Sequence, residues 1–130
     1  MIESNKIKYD GKINKIYHIA DIHIRNLQRH TEYREVFERL YAYISTTQTD
    51  DAIIVLAGDI VHAKTDMTPE VVNMTQTFLK RLSDMLPVIL IPGNHDANLN
   101  NPSRLDALSP IVNALGHPNL HYLKDDGVWE

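Results

Sequence analysis

The sequence contains no cysteine among its 130 residues. This absence excludes disulfide scaffolds, zinc sites built on thiolates and cysteine nucleophiles, and it is compatible with a reducing cytosol. No apolar run is long enough to span a bilayer, and the first six residues lack the apolar core of a signal peptide. We therefore expect a cytoplasmic protein with no membrane partner.

The chain also lacks an excess of positive charge. It has 13 lysines and arginines against 17 aspartates and glutamates, which gives a net charge of −4. The field of the whole chain thus gives no reason to expect a nucleic-acid ligand. Repeats, linkers and low-complexity tracts are absent too, and the 43% hydrophobic content is typical of a globular protein. We expect a single domain over residues 1–130.

Predicted strands and helices alternate along the chain. Apolar, β-branched runs predict strands at residues 15–20, 52–57, 88–91 and 120–123. Helical spacing predicts helices between them, with Thr31 as the N-cap of the first and Thr68, followed by Pro69, as the N-cap of the second. This order with short connections predicts right-handed crossovers and a parallel sheet, and hence an α/β fold with a parallel strand-helix-strand core.

The helical stretches also predict a buried face and helix ends. The first helix has six apolar residues at helical spacing, which predicts one buried face: Tyr33, Val36, Phe37, Leu40, Tyr41 and Ile44. Ser109-Pro110 is expected to break the third helical stretch into two short pieces, and Gly116 to cap its end.

Polar side chains follow three of the predicted strands. The clusters are Asp21-x-His23, Gly58-Asp59-x-x-His62 and Gly93-Asn94-His95-Asp96. Each cluster alone is typical of a solvated turn, but the carboxyl ends of adjacent parallel strands meet at one rim, where ligands bind in such sheets. Carboxylate, imidazole and amide donors together suit manganese, iron or zinc.

This triple of motifs resembles the calcineurin-like metallophosphoesterase superfamily. The resemblance implies the N-terminal half of an α/β/β/α sandwich and a site for two divalent metal ions. In that arrangement Asp21 and His23 bind the first ion, Asp59 bridges both ions, and Asn94 binds the second. The resemblance also implies that His95 is the catalytic histidine that faces the phosphate.

The superfamily also has later motifs that supply three further histidine ligands, and this sequence lacks them. Gly116-His117-Pro118 matches only superficially, because a second histidine is missing. We therefore expect a truncated domain that binds at most one metal ion tightly and is catalytically inactive or nearly so. The second sheet would be incomplete, which would leave apolar surface and a sheet edge exposed.

Within the superfamily, residues 18–23 and 58–62 resemble the SbcD-type nuclease subunit of DNA double-strand-break repair complexes. This closer resemblance implies a manganese-dependent exonuclease that uses a hydroxide activated by two metal ions. It also implies a coiled-coil ATPase as partner, a homodimer, and a histidine, here His62, that assists at the active site.

Two alternatives remain open from the residues. One is another metallophosphoesterase that acts on a small phosphate ester. The other is a non-catalytic binding domain with the same fold. A covalent intermediate is not expected, since no serine, cysteine or lysine lies in a nucleophile constellation.

Overall fold

A computed structural model describes residues 11–25, 29–62, 67–93, 106–125 and 128. Within these ranges, strands and helices alternate in the predicted order. The elements are β1 (Lys15–Ile19), α1 (His30–Thr47), β2 (Ala52–Ala57), α2 (Pro69–Met85), β3 (Val88–Ile91), α3 (Ser109–Leu115) and β4 (Leu120–Tyr122). The α/β fold predicted from the sequence is confirmed.

The strands form one parallel sheet in the order β1-β2-β3-β4. Because each crossover moves to the next strand in the same direction, right-handed connections place all three helices on one face of the sheet. In agreement, α2 contacts both α1 and α3. The carboxyl ends of β1, β2 and β3 consequently lie side by side at one rim.

The core lies between the helices and the sheet. Leu56 and Leu90, which are paired neighbours on β2 and β3, are fully buried on the helix side. Phe37 of α1 stacks on Phe78 of α2 with ring centroids 4.3 Å apart, and Phe78 has no exposed surface. This aromatic pair joins the two longest helices over the centre of the sheet.

The opposite face of the sheet carries exposed apolar side chains. Ile16 on β1 is 57% exposed and Ile91 on β3 is 42% exposed. Val55 and Ile89, paired neighbours on β2 and β3, are only partly buried. Among the described residues, these side chains form an apolar surface on this face of the sheet.

The sequence predicted the N-cap of α2 correctly but not that of α1. Thr68 is the N-cap of α2, as predicted, and its side chain accepts a hydrogen bond from the backbone N–H of Val71. The prediction of Thr31 as the N-cap of α1 is wrong, since α1 begins at His30 and Arg29 occupies the N-cap position with a φ of 57°. The backbone reversal at Arg29 starts the helix without a side-chain cap.

A prediction about the buried face of α1 is wrong, and the break predicted at Ser109-Pro110 is described only in part. Val36 was placed on the buried face of α1, but it is 56% exposed, because Phe37, Tyr41 and Ile44 fill the contact with the sheet and α2. α3 begins at Ser109, where the break was predicted, and Pro110 lies in its first turn, where the missing N–H is tolerated. Any helical piece before residue 106 lies outside the described residues. None of the described helices combines the length and the apolar character that crossing a membrane requires.

A buried carboxylate that the sequence analysis did not single out fixes the start of α3. Asp106 is 9% exposed and accepts hydrogen bonds from the backbone N–H groups of Leu108 and Ser109 and from the hydroxyls of Ser109 and Tyr122. Lys124 lies 3.2 Å away. Burial raises the pKa of this carboxyl, but these hydrogen bonds outweigh burial and hold the pKa below its usual value.

We predict that Asp106→Asn lowers the free energy of unfolding by about 2–4 kcal/mol at pH 7, because hydrogen bonds to a buried charge are lost. The lowered pKa means that the stabilisation by Asp106 is present above the pKa of an unfolded aspartate and is lost as pH falls through the folded pKa. Urea denaturation from pH 7 to pH 3 should therefore show a flatter acid limb in the variant. Asp125→Asn, at an exposed aspartate, should leave both quantities unchanged.

Candidate metal centre

The loops that follow β1 and β2 continue the strand pairing beyond the sheet. The backbone N–H of Asp21 donates to the carbonyl of Gly58 at 3.2 Å, and that of His23 donates to the carbonyl of Asp59 at 2.9 Å. Ile24 then forms a parallel bridge with Val61. These bonds hold the first two polar clusters against each other.

Apolar side chains anchor the same loops from below. Ile24, Ile60 and Val61 are at most 1% exposed and belong to the core between sheet and helices. Polar residues alternate with these anchors, and the candidate ligands therefore stay at the rim: Asp21, His23 and Asp59. Moving either loop away from the core would expose the buried anchors to water. The loops are thus part of the packed structure.

The structure brings Asp21, His23 and Asp59 together. Each offers one ligand atom, and these atoms all lie within 4.8 Å of one another. Nε2 of His23 is 3.7 Å from Oδ1 of Asp21 and 4.0 Å from Oδ2 of Asp59. The side chain of Asp59 is 14% exposed, whereas that of Asp21 is 72% exposed. Asp59 is therefore the inner carboxylate of the cluster and Asp21 the outer one.

All three candidate ligands have a left-handed backbone. The φ angles are 56° at Asp21, 51° at His23 and 52° at Asp59. Such a conformation costs a residue with a side chain about 1–2 kcal/mol relative to glycine. Strained conformations of this kind cluster at functional sites, where the surrounding contacts maintain them.

Two glycines allow the second and third strands to end close together at Asp59. Gly58 has a φ of 87°, and a Cβ atom there would lie 3.0 Å from Cα of Gly93. At Gly93 a Cβ atom would overlap both the carboxylate and the backbone nitrogen of Asp59. The glycine in the third motif thus leaves the space that the inner carboxylate occupies.

His62 lies beside this cluster, as the sequence predicted. Its ring stands edge-on to that of His23 with centroids 5.6 Å apart, and its backbone N–H donates to the carbonyl of Ile24. Nη1 of Arg25 is 3.4 Å from Nε2 of His62, a long hydrogen bond. A predicted assisting histidine and an exposed arginine therefore border the candidate ligands.

Asn94 and His95 lie outside the described residues, so their predicted roles as ligand and catalytic histidine remain predictions. Among the described residues, three contributors to the site were not predicted from the sequence. They are Arg25 next to His62, Tyr33 against the first loop, and the direct contact of Gly93 with Asp59. Arg25 follows the Asp-x-His motif by two residues and could have been noticed on that ground.

Oxygen and nitrogen donors in this arrangement fit a divalent cation of intermediate hardness. Two carboxylates and one imidazole converge on a small volume at the rim. The parallel sheet and this donor set define an α/β protein with a candidate metal site at the carboxyl ends of its strands.

Comparison with known proteins identifies the family. The calcineurin-like phosphoesterase family matches residues 14–128, and the chain belongs to this family. Members of this family use divalent metal ions, which agrees with the donor set.

The chain matches only part of the length of two similar proteins. An uncharacterised protein, R555 of Acanthamoeba polyphaga mimivirus, is 54% identical over 129 residues, which cover 96% of this chain and 10% of that protein. The crystal structure of the Pseudomonas putida nuclease MPE has a similar fold, with a TM-score of 0.54 and 22% identity over 88% of this chain and 50% of that one. The chain therefore spans about half of the solved relative and a tenth of the viral one.

We predict that Gly93→Ala lowers the free energy of unfolding by about 1–3 kcal/mol, because the added methyl group overlaps Asp59. It should also weaken Mn²⁺ binding, measured by titration calorimetry, since Asp59 must move. Asp125→Asn, at an exposed aspartate, is the control. Unchanged Mn²⁺ affinity in Gly93→Ala would show that the inner carboxylate does not depend on this contact.

Proposed function

We propose that the chain belongs to a metal-dependent phosphodiesterase that hydrolyses DNA, of the exonuclease type found in double-strand-break repair. The observation that carries the proposal is the convergence of Asp21, His23 and Asp59 within 4.8 Å at the rim of the sheet. Membership in the phosphoesterase family supports hydrolysis of a phosphate ester. The solved protein of similar fold is a nuclease. The amino-acid sequence of the first two motifs resembles that of the SbcD-type nuclease subunit.

The proposal gives each site residue a role. Asp21 and His23 would hold one divalent ion, Asp59 would bridge two ions, and Asn94 would hold the second. Bound divalent ions supply the positive charge that attracts a phosphodiester and stabilises the charge that develops on its oxygens. We propose manganese as the metal, with iron or zinc as alternatives that the same donors accept.

The remaining chemistry falls to histidines. In the proposal, His95 protonates the leaving oxygen or stabilises the charge on the phosphate. His62, 5.6 Å from the His23 ring between centroids, would orient the phosphate or His95. Arg25 beside His62 adds a positive charge at the same edge of the site.

We extend the proposal to the assembly. The 130 residues would form the N-terminal part of a phosphoesterase domain, in line with the half-length match to the solved nuclease. Ile16 and Ile91 are exposed on the sheet face opposite the helices, which agrees with a further layer of protein structure that would cover this face. A homodimer, a coiled-coil ATPase partner and an intracellular location complete the proposal, on the resemblance of the motifs.

We predict that the 130-residue chain binds one Mn²⁺ ion, because the described residues offer one group of three donors. Asp59→Asn should abolish this binding, since a neutral amide replaces the inner carboxylate. Titration calorimetry measures both, with Asp125→Asn as the matched control. Undiminished binding in Asp59→Asn would remove Asp59 from the site.

The substrate is tested on the whole protein that carries this chain. We predict Mn²⁺-dependent hydrolysis of linear duplex DNA in preference to p-nitrophenyl phosphate. His95→Ala should keep the ions but lose about 10²–10⁴ in rate, the usual contribution of a general acid. Faster hydrolysis of the small ester would favour the alternative phosphoesterase. Loss of the ions in His95→Ala would instead make His95 a ligand.

A further inference from the structure

The hydroxyl of Tyr33 contacts the loop that carries the first two candidate ligands. It donates a hydrogen bond to the backbone carbonyl of His23 at 2.5 Å and lies 3.3 Å from the carbonyl of Ile22. Tyr33 belongs to the first turn of α1, and its own backbone N–H donates to the carbonyl of Arg29. A side chain of the first helix thus binds the backbone of the candidate site directly.

The ring of Tyr33 is partly buried and packs against the core. It packs against Phe37 with centroids 5.9 Å apart, and Phe37 is stacked on the fully buried Phe78. The same rings line a cavity of about 330 Å³ beneath Ile22. The packing of the ring on Phe37 places the hydroxyl at the loop, where it donates to the carbonyl of His23.

The backbone carbonyl of His23 accepts the hydrogen bond from Tyr33. The φ of 51° at His23 is uncommon for a residue with a side chain, and it turns the following carbonyl toward α1. On the other side, the N–H of His23 is held by the carbonyl of Asp59. The two hydrogen bonds hold both peptide groups of His23, and this fixes the direction in which its imidazole leaves the backbone.

We propose that Tyr33 is a positioning residue of the candidate metal centre. Its hydroxyl holds His23 in the left-handed conformation and thereby keeps Nε2 within reach of Asp21 and Asp59. The inference rests on the proposed function, since it takes these three side chains as ligands of a divalent ion. Partners that orient a ligand in this way change metal affinity when they are removed.

The test is Tyr33→Phe, which removes the hydroxyl and keeps the ring that packs on Phe37. We expect Mn²⁺ affinity, measured by titration calorimetry, to fall about 10–100-fold. The visible absorption spectrum of bound Co²⁺ should change as well, because the imidazole is no longer held in place. Tyr43→Phe removes the same group from an exposed position on the same helix and should change neither measurement.

The outcomes separate this inference from the proposed function. Wild-type affinity and an unchanged Co²⁺ spectrum in Tyr33→Phe would overturn the role of Tyr33 and leave the metal site standing. Failure of the wild-type chain to bind Mn²⁺ or Co²⁺ would overturn both. Circular dichroism of the metal-free proteins checks the fold, and an unfolded Tyr33→Phe variant would mean that the hydroxyl acts in folding, which also overturns the inference.

Discussion

The backbone pairing between the loops after β1 and β2 is the constraint on which the candidate site depends. In many parallel sheets the loops diverge where the strands end, but here Asp21 and His23 still pair with Gly58 and Asp59. The candidate ligands are therefore placed by main-chain hydrogen bonds rather than by long side chains that reach across a gap. A site built in this way has its geometry before any ion arrives, which reduces the ordering needed on binding.

The left-handed conformations at Asp21, His23 and Asp59 are the energetic cost of this arrangement. Aspartate and histidine tolerate them better than β-branched residues do. The buried side chains of Ile24 and Ile60 contribute the opposing free energy, because lifting either loop would expose them to water. The core and the strain at the rim are thus coupled, and substitutions beneath the loops would act on the site as well as on stability.

Patterns in the sequence predicted the fold because each element obeys a local rule. The run of residues 52–57 and the Thr68-Pro69 pair follow strand and helix-start rules that tertiary contacts did not override. Thr31 failed as an N-cap because the helix start is set by the backbone reversal at Arg29, which belongs to the site loop. Convergence of Asp21, His23 and Asp59 could be predicted from the parallel topology alone. The contact between the hydroxyl of Tyr33 and the loop could not be predicted, because helical spacing assigns the ring to the core but does not locate the hydroxyl oxygen.

The acidic character of the chain and the anionic substrate proposed for it are compatible because electrostatic interactions at the rim are local. Exposed charges farther than about 8–10 Å are largely screened at physiological ionic strength. The two carboxylates of the cluster carry a charge that would balance one divalent ion. Among the described residues, the guanidinium of Arg25 lies beside His62 and adds a positive charge at this edge of the rim. In the proposed two-ion site, a second ion would add positive charge at the rim, whatever the net charge of −4.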